Sequence, residues 1–292
     1  MNIVEMDHAV RFFGATPAVT DMCLAVPKGS VFGLLGENGS GKTTSIKMMM
    51  GALIPQEGTV RVFGVDPLTL KPEQRARIAY IADDMGLPNW MKLSEGMALH
   101  RSYFQQWDQG VADERLERYG LRLNQSFGTL SKGQKRQFLL TLALAQQPDL
   151  LILDEPASGL DVSVRRDFLD SLMELANTRE VSVLLSSHIL TDVERVVDHV
   201  SFMKKGACVR QANLEDMKEG IKRLCFSENQ DRDVLLQSFS ILQEKQVQGG
   251  YQVVVEDFAA ERMDGLDCHV EHLNLEELFL VFNALSDVGA VR

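Results

Sequence analysis

A glycine-rich segment near the N-terminus has the residue types and the spacing that bind phosphate groups. Residues 36–43 read Gly-Glu-Asn-Gly-Ser-Gly-Lys-Thr and match G-x-x-x-x-G-K-[ST] at every fixed position. The glycines let successive backbone N–H groups point inward, and the helix that follows adds partial positive charge. We expect Lys42 to hold the β- and γ-phosphates of ATP and the Thr43 hydroxyl to bind Mg²⁺. The other nucleotide contacts predicted in this segment are Gly36, Asn38, Gly39, Ser40, Gly41 and Thr44.

Two adjacent carboxylates follow an apolar run later in the chain. Leu150–Leu153 is predicted to be a buried strand, and Asp154 and Glu155 stand at its carboxyl end. α/β sheets place their ligands at this end of the strands. We expect Asp154 to complete the Mg²⁺ shell and Glu155 to polarise the attacking water. Adjacent acids at a strand end are also common as solvated caps, so this pair depends on the glycine-rich segment for its interpretation.

The apolar pattern around these residues predicts an α/β fold with a mainly parallel sheet. Val31–Leu35 is a buried strand before the glycine-rich segment, and Val181–Leu185 is a second apolar run beyond Leu150–Leu153. The helical pattern Val162–Ala176 separates the last two, and such alternation is typical of parallel sheets. Between about residues 58 and 149 the chain reads as more helical. The helix candidates there are Ser94–Gln106, Ala112–Tyr119 and Ser131–Gln146.

The two ends of the chain have different patterns. Ile3–Phe13 and Cys23–Val26 read as short strands, and after about residue 219 strand candidates again surround helices. We therefore divide the chain into residues 1–218, with a helical subdomain at about 86–148, and a small α+β domain at 219–292. The elements predicted for the small domain are the strands Ile221–Phe226, Tyr251–Val255 and Cys268–Leu273 and the helices Val234–Phe239 and Leu275–Leu285.

Charge and cysteine usage argue against several classes of protein. The net charge is −11, and residues 215–292 hold 16 acidic and 7 basic residues, so a nucleic acid is not expected as a partner. The four cysteines form no CxxC pair, which fits reduced thiols. Cys268, His269 and His272 lack a spaced fourth ligand, so we interpret them as packing and surface residues. With no signal pattern and no apolar run of about 20 residues, we expect a cytoplasmic chain.

Three further motifs accompany the two phosphate-site motifs, one between them and two after them in the chain. Leu130–Gln134 reads Leu-Ser-Lys-Gly-Gln, Ser158–Asp161 reads Ser-Gly-Leu-Asp, and Ser186–His188 follows a predicted strand. In this order the five motifs resemble those of the nucleotide-binding subunit of ATP-binding cassette transporters. The first of the three resembles the family's signature sequence, with Lys132 in place of its usual first glycine. Leu273–Phe279 is similar to the C-terminal segment of one exporter-type subgroup.

The resemblance implies a P-loop NTPase fold with an antiparallel β subdomain beside the parallel sheet. It also implies that His188 reaches the γ-phosphate and that Phe13 stacks on adenine, where ordinary strand packing of Phe13 is the alternative. Ser131 is the N-cap of a predicted helix, and the resemblance makes it a nucleotide contact as well. The remaining nucleotide contacts implied by the resemblance are Gly133, Gln134 and Asp161.

The resemblance implies two kinds of partner. A head-to-tail dimer would place each ATP between the phosphate loop of one subunit and the signature motif of a second nucleotide-binding subunit. A separate membrane-spanning permease would hold the pair at the inner face of the membrane. Trp90 and Met91 are candidates for contact with that permease, against the alternative that they pack within the helical subdomain.

One residue departs from the family pattern. After the strand that Ile78–Ala82 resembles, the family places a glutamine that approaches Mg²⁺ and the attacking water, whereas this chain has Asp83. A carboxylate can still serve as an oxygen ligand for Mg²⁺, so we expect Asp83 to retain the metal and coupling role. The alternative is a loop carboxylate that points at solvent.

Two other functions remain open for this set of motifs. One is a cassette ATPase that works without a transporter, as in translation or DNA repair. It is disfavoured because the chain has one cassette, no long coiled coil and an acidic C-terminal part. The other is a regulatory module that binds ATP and barely hydrolyses it. Glu155 and His188 argue against it, while Asp83 leaves it open.

Overall fold

Two β-sheets organise the chain. The computed structural model describes residues 1–104, 106–178, 181–227, 238–263 and 268–285. Its strands are β1 (Asn2–Phe13), β2 (Thr16–Pro27), β3 (Val31–Leu35), β4 (Glu57–Val62), β5 (Ile78–Ile81), β6 (Leu150–Asp154), β7 (Ser182–Ser187), β8 (His199–Lys204), β9 (Ala207–Asn213), β10 (Lys222–Ser227), β11 (Ser240–Val247), β12 (Gly250–Glu256) and β13 (His269–His272). Its helices are α1 (Lys42–Met49), α2 (Pro72–Arg75), α3 (Leu93–Tyr103), α4 (Gln109–Arg118), α5 (Lys132–Ala145), α6 (Val162–Thr178), α7 (Leu190–Val193), α8 (Leu214–Gly220) and α9 (Leu275–Leu285).

The larger sheet is mixed, with a parallel centre and antiparallel pairs towards one edge. Its strand order is β4-β1-β2-β9-β8-β3-β7-β6-β5. The neighbours from β8 to β5 run parallel, whereas β1 pairs antiparallel with β2 and β4. The parallel centre places the carboxyl ends of β3, β6 and β7 at one edge, where Leu35 pairs with Ser187 and Asp154 pairs with Ser186. The predicted parallel sheet with an antiparallel part is confirmed.

The central strands are buried on both faces. In β3 the side chains of Val31 and Leu35 face a core shared with α5, α6 and α9. Phe32 and Leu34 face the opposite core, to which α1 contributes. This alternation follows from the two-residue period of a strand, and covering both faces explains why the strand reads as an unbroken apolar run.

The helices between β5 and β6 have a core of their own. Leu93 and Met97 of α3 and Leu116 of α4 pack there against Phe138 of α5. Helix α5 also contributes Leu139 and Leu140 to the core beneath the large sheet. Helix α5 therefore packs against both the helical part and the large sheet, whose strand β3 ends at the phosphate loop.

The second sheet is antiparallel, with the order β11-β12-β10-β13. It has a separate cluster of buried side chains, which includes Leu224 and Val253. The last helix, α9, packs instead on the large sheet, where the ring centroids of Phe279 and Phe282 lie 5.6 and 5.7 Å from that of Phe202 in β8. Helix α9 thus contributes to the core of the larger sheet, although its residues fall within the predicted small domain. The predicted domain boundary between residues 218 and 219 stays a prediction.

The sequence pattern missed strands β4, β8, β9 and β11 and the short helices α2, α7 and α8, and it shortened β2. Strand β4 falls inside the stretch that we read as more helical, because an edge strand with only Val60 and Val62 buried carries little periodicity. Strand β2 begins at Thr16, seven residues before the predicted Cys23. Strand β11 was also missed, and its residues are mostly exposed. The predicted helix Val234–Phe239 lies mostly outside the described residues.

Among the residues that the structure describes, no helix combines the length and the apolar character needed to cross a membrane.

Candidate active site

The glycine-rich segment forms the turn between β3 and α1. Gly39 and Gly41 have φ angles of 82° and 105°, and a Cβ on Gly41 would lie 2.3 Å from the backbone oxygen of Ala18. Only glycine fits there without moving the backbone of β2. The N–H of Gly36 donates to the backbone oxygen of Ser187 at 3.3 Å, which ties the loop to the end of β7. Of the other predicted contacts, Ser40 is buried, Thr44 is half-buried, and Asn38 and Thr43 are exposed.

The three predicted catalytic side chains lie together, with Glu155 in contact with both Lys42 and His188. The Lys42 ammonium is 5% exposed and donates to the backbone oxygens of Gly36 and Glu37 at 2.7 and 3.1 Å. It also lies 3.2 Å from Oε1 of Glu155. The other oxygen, Oε2, lies 2.7 Å from Nδ1 of His188. The carboxylate of Glu155 therefore stands between a cation and an imidazole that can donate a hydrogen bond to it.

Ser186 holds the adjacent carboxylates in place. Its hydroxyl donates to Oδ1 of Asp154 at 2.6 Å and accepts the backbone N–H of Glu155 at 2.9 Å. Asp154 is 3% exposed, so this hydrogen bond compensates part of the cost of burying a charge. Burial, helped by the negative charge of Asp154, raises the pKa of Tyr80 on the neighbouring strand β5 to about 12. The sequence alone gives Ser186 no role of its own, because its position opposite Asp154 depends on the register between β6 and β7.

Glu155 itself has a left-handed backbone, with a φ angle of 49°. This region is uncommon for a residue other than glycine and costs of order 1–3 kcal/mol. The turn brings the side chain of Glu155 to the same side of the sheet as Lys42 and His188. Strain of this kind persists where the surrounding contacts hold the residue, as the hydrogen bond that the Glu155 N–H donates to the Ser186 hydroxyl does here.

The residues present fit a nucleotide with a divalent cation. The Ser40 hydroxyl is buried inside the loop and has no hydrogen-bond partner among the described residues, so a phosphate oxygen would satisfy it. The Thr43 hydroxyl and the Asp154 carboxylate are hard oxygen ligands of the kind that Mg²⁺ prefers. The left-handed glycines leave the turn between β3 and α1 without side chains that would fill it.

The signature segment forms the start of α5. The Ser131 hydroxyl accepts the N–H of Gln134 at 3.2 Å, and the Gln134 side chain accepts the N–H of Ser131 at 3.0 Å, which makes a complete capping box. A Cβ on Gly133 would lie 2.4 Å from Val164 of α6, so glycine is required where the two helices meet. The Nζ of Lys132 lies beside Gly159, so the signature segment adjoins the segment Ser158–Asp161.

Phe13 and Asp161 are also predicted contacts at exposed positions. Phe13 at the end of β1 is 49% exposed and lies under the guanidinium of Arg11, whose Cζ is 5.3 Å from the ring centroid. It belongs to none of the core clusters of the described residues, so its ring face is not consumed by strand packing. Asp161 is exposed, and its backbone oxygen accepts the N–H of Arg165 in the first turn of α6.

Comparison with known proteins identifies the family. The family model described as ABC transporter matches residues 19–158. YhaQ of Bacillus subtilis (strain 168), an uncharacterized ABC transporter ATP-binding protein, is 31% identical over 99% of this chain and 99% of its own length. The chain belongs to the ABC transporter ATP-binding proteins. It adopts the ABC cassette form of the P-loop NTPase fold and is an ATP-binding subunit of this family.

Two further comparisons agree with this family. The bacitracin transport ATP-binding protein BcrA of Bacillus licheniformis is 30% identical over 74% of this chain and 72% of its own length. A solved structure described as the ADP conformation of MJ1267, an ATP-binding cassette of an ABC transporter, superposes with a TM-score of 0.62 at 25% identity. That superposition covers 74% of this chain and 92% of MJ1267.

Asp83, where the ABC family has a glutamine, contacts an arginine of the signature helix. Its Oδ1 lies 2.8 Å from Nη2 of Arg136, and this guanidinium also donates to the backbone oxygens of Ala82 and Asp83. Arg136 is 3% exposed, whereas the Asp83 side chain is 53% exposed. Burial lowers the pKa of Arg136, and the negative charge of Asp83 opposes that shift. The expected role of Asp83 as a metal ligand stays a prediction, and it competes with this ion pair for the same carboxylate.

The pair predicts unequal costs for removing its two members. Arg136→Ala should lower the free energy of unfolding by about 2–3 kcal/mol, because two backbone oxygens lose a charged donor that is itself buried. Asp83→Ala should cost about 1 kcal/mol or less, since half of that side chain is already in water. Urea unfolding of both variants measures the difference, with Asp84→Ala as the matched control at a neighbouring exposed carboxylate. Equal losses from all three variants would show that the guanidinium does not hold this loop.

Proposed function

We propose that the chain hydrolyses ATP with Mg²⁺ and that hydrolysis drives export through a separate membrane-spanning subunit. The observation that carries the hydrolytic part is the position of the Glu155 carboxylate, 3.2 Å from Lys42 Nζ and 2.7 Å from His188 Nδ1. A carboxylate held in this way next to a phosphate loop can take a proton from an attacking water. The family provides the link to transport, and the subgroup resemblance of Leu273–Phe279 favours export.

Each residue of this site has a separate task in the proposal. Lys42 and the N–H groups of the loop bind the β- and γ-phosphates, and Glu155 orients and deprotonates the attacking water. His188 contacts the γ-phosphate and fixes the carboxylate of Glu155. Mg²⁺, held by Thr43 and Asp154, would neutralise charge on the phosphate oxygens. The exposed ring of Phe13, which has Arg11 over one face, stacks on the adenine with its other face.

The second half of the site comes from another nucleotide-binding subunit. The signature motif starts α5, while the phosphate loop precedes α1, so in one chain the two belong to different elements. A head-to-tail dimer lets Ser131, Gly133 and Gln134 of one subunit approach the ATP on the other. Asp161 is an exposed residue of the segment beside Lys132 and contributes to the same composite site. The cassette would then comprise residues 1–218, and the small domain residues 219–292.

The membrane partner would dock near the end of the loop that follows β5. Trp90 is 74% exposed there, and Met91 is half-buried beside it. Exposure of so large an apolar side chain to water is unfavourable, which is typical of a surface that binds a partner. In this proposal the chain would lie at the inner face of the membrane, held there by its partner. The acidic C-terminal part makes nucleic acid an unsuitable alternative partner.

Trp90→Ser should separate partner binding from nucleotide binding. The exposed indole makes no contribution to the cassette core, so ATP affinity and the free energy of unfolding should stay unchanged. Copurification of the tagged full chain from detergent-solubilised membranes should bring down a protein with several apolar segments of about 20 residues. The Trp90→Ser chain should recover at least tenfold less of it.

Leu280→Ser, at a 60% exposed position on α9, is the matched control. Equal recovery with Trp90→Ser would remove Trp90 from the interface, and recovery of ribosomes or DNA instead would overturn the transport proposal.

A further inference from the structure

Four side chains with metal-binding groups lie together on the outer face of β1 and β2. Asp7 and His8 belong to β1, and Asp21 and Cys23 belong to β2. All four side chains are exposed. None of them has a task in nucleotide binding, and together they offer oxygen, nitrogen and sulfur ligands.

A β-bulge brings the two β1 residues to this face. The pairing of β1 with β2 shifts between Met6 and Ala9, so that Asp7 and His8 lie opposite Cys23 alone. His8 has a left-handed φ angle of 48°, and the extra residue re-aims its side chain. Strand β4 supports the bulge from the other side, where a Cβ on Gly58 would lie 2.1 Å from the backbone oxygen of His8. Two neighbouring strands therefore hold the bulge in one conformation.

The ligand atoms lie slightly farther apart than one small bound cation requires. One atom each from Asp7, His8 and Cys23 lie within 4.8 Å of one another, and Nε2 of His8 is 3.8 Å from Oδ1 of Asp7. Zinc bonds of about 2.0–2.3 Å in a tetrahedron put neighbouring ligand atoms about 3.3–3.6 Å apart. Small rotations of exposed side chains are enough to close that difference.

Asp21 prepares His8 to act as a ligand. Its Oδ1 lies 2.7 Å from Nδ1 of His8. Because an ionised carboxylate can only accept, Nδ1 must carry the proton, which leaves the lone pair on Nε2 in the neutral imidazole. A carboxylate behind the ring is the usual partner of a metal-binding histidine, since it fixes both the tautomer and the ring orientation.

We propose that Asp7, His8 and Cys23 bind one Zn²⁺ ion, with Asp21 orienting His8 and a water as the fourth ligand. Sulfur and nitrogen ligands favour Zn²⁺ over Mg²⁺ or Ca²⁺, and three protein ligands with one open position suit it. Binding releases the thiol proton of Cys23 to solvent as the thiolate bonds to the metal. The ion links β1 to β2 at the bulge, and the site is independent of the proposed ATP hydrolysis.

The test uses Co²⁺ as a spectroscopic probe for Zn²⁺. The purified full chain is titrated with Co²⁺ in excess Mg²⁺, which keeps oxygen-ligand sites occupied. We expect one equivalent of Co²⁺ to give thiolate-to-metal charge-transfer absorption, and one equivalent of Zn²⁺ to remove it. Calorimetry with Zn²⁺ should give one site whose affinity falls about 10–100-fold in Asp21→Asn, as for other carboxylates behind a histidine ligand.

Matched cysteine variants decide which thiol is involved. Cys23→Ser should lose the charge-transfer absorption, whereas Cys225→Ser should retain it. Each variant changes a single atom, and circular dichroism is used to check that both variants are folded. Absence of thiolate absorption in the unmodified chain, or its persistence in Cys23→Ser, would overturn the proposal.

Discussion

Replacing Glu155 with glutamine should lower kcat for ATP hydrolysis by about 10²–10⁴-fold, the range that one general base contributes. The amide keeps the size of the side chain and can still accept a hydrogen bond from His188, so the site should stay assembled. It cannot take a proton from water. Steady-state release of phosphate by the full chain, measured with saturating ATP and Mg²⁺, tests this expectation.

The same variant should also change assembly. If hydrolysis opens the head-to-tail dimer, Glu155→Gln should accumulate as a dimer in ATP and return to its starting state when ATP is removed. Size-exclusion chromatography with and without ATP measures this. Glu73→Gln, an exposed glutamate on α2, is the control and should behave like the unmodified chain. Hydrolysis by Glu155→Gln within a few-fold of normal would assign the base to another group.

Replacing Lys42 with alanine should lower the affinity for ATP by about 10–100-fold. A hydrogen bond to a charged group contributes about 1.5–3 kcal/mol, and 1.4 kcal/mol corresponds to a factor of ten. Lys42 is almost fully buried, so no neighbouring cation in solvent can substitute for it. Fluorescence titration with an ATP analogue that is not hydrolysed measures binding separately from turnover.

A lysine of the same helix provides the control for this experiment. Lys47 lies on α1 and is exposed, so Lys47→Ala should leave the affinity unchanged. Loss of Lys42 also leaves Oε1 of Glu155 without its cation, so unfolding in urea should be followed for both variants to show that they are folded. An unchanged ATP affinity in a folded Lys42→Ala chain would contradict the assigned phosphate site.

Elements with a strong local pattern were predictable from the sequence. Val31–Leu35 was predicted with its final bounds, and α6 and β6 were predicted to within a few residues. Strands and helices of this kind are buried over most of their length or along one stripe. The spacing of apolar residues in the sequence therefore reveals them, because it follows which side chains are buried. Strands β4 and β11 lie at sheet edges, where few side chains are buried, so their patterns carried too little signal.

The members of the site were predictable more readily than its contacts. The phosphate loop requires glycine at left-handed positions and a lysine at one fixed place, so Lys42 can be read from its neighbours alone. The hydrogen bond between Ser186 and Asp154 joins residues 32 positions apart, and the pair of Arg136 and Asp83 joins residues 53 positions apart. Such contacts depend on strand order and register, which no local pattern records.

The phosphate loop, the other motifs and the central strands could each be read from the chain alone, because each is encoded by residues close together in it. The position of Glu155 between Lys42 and His188 and the contact of Asp83 with Arg136 are visible only in the folded protein. The same is true of the bulge that brings His8 beside Cys23. These arrangements depend on which strands become neighbours and in which register, and packing of both sheet faces selects that outcome over the whole chain.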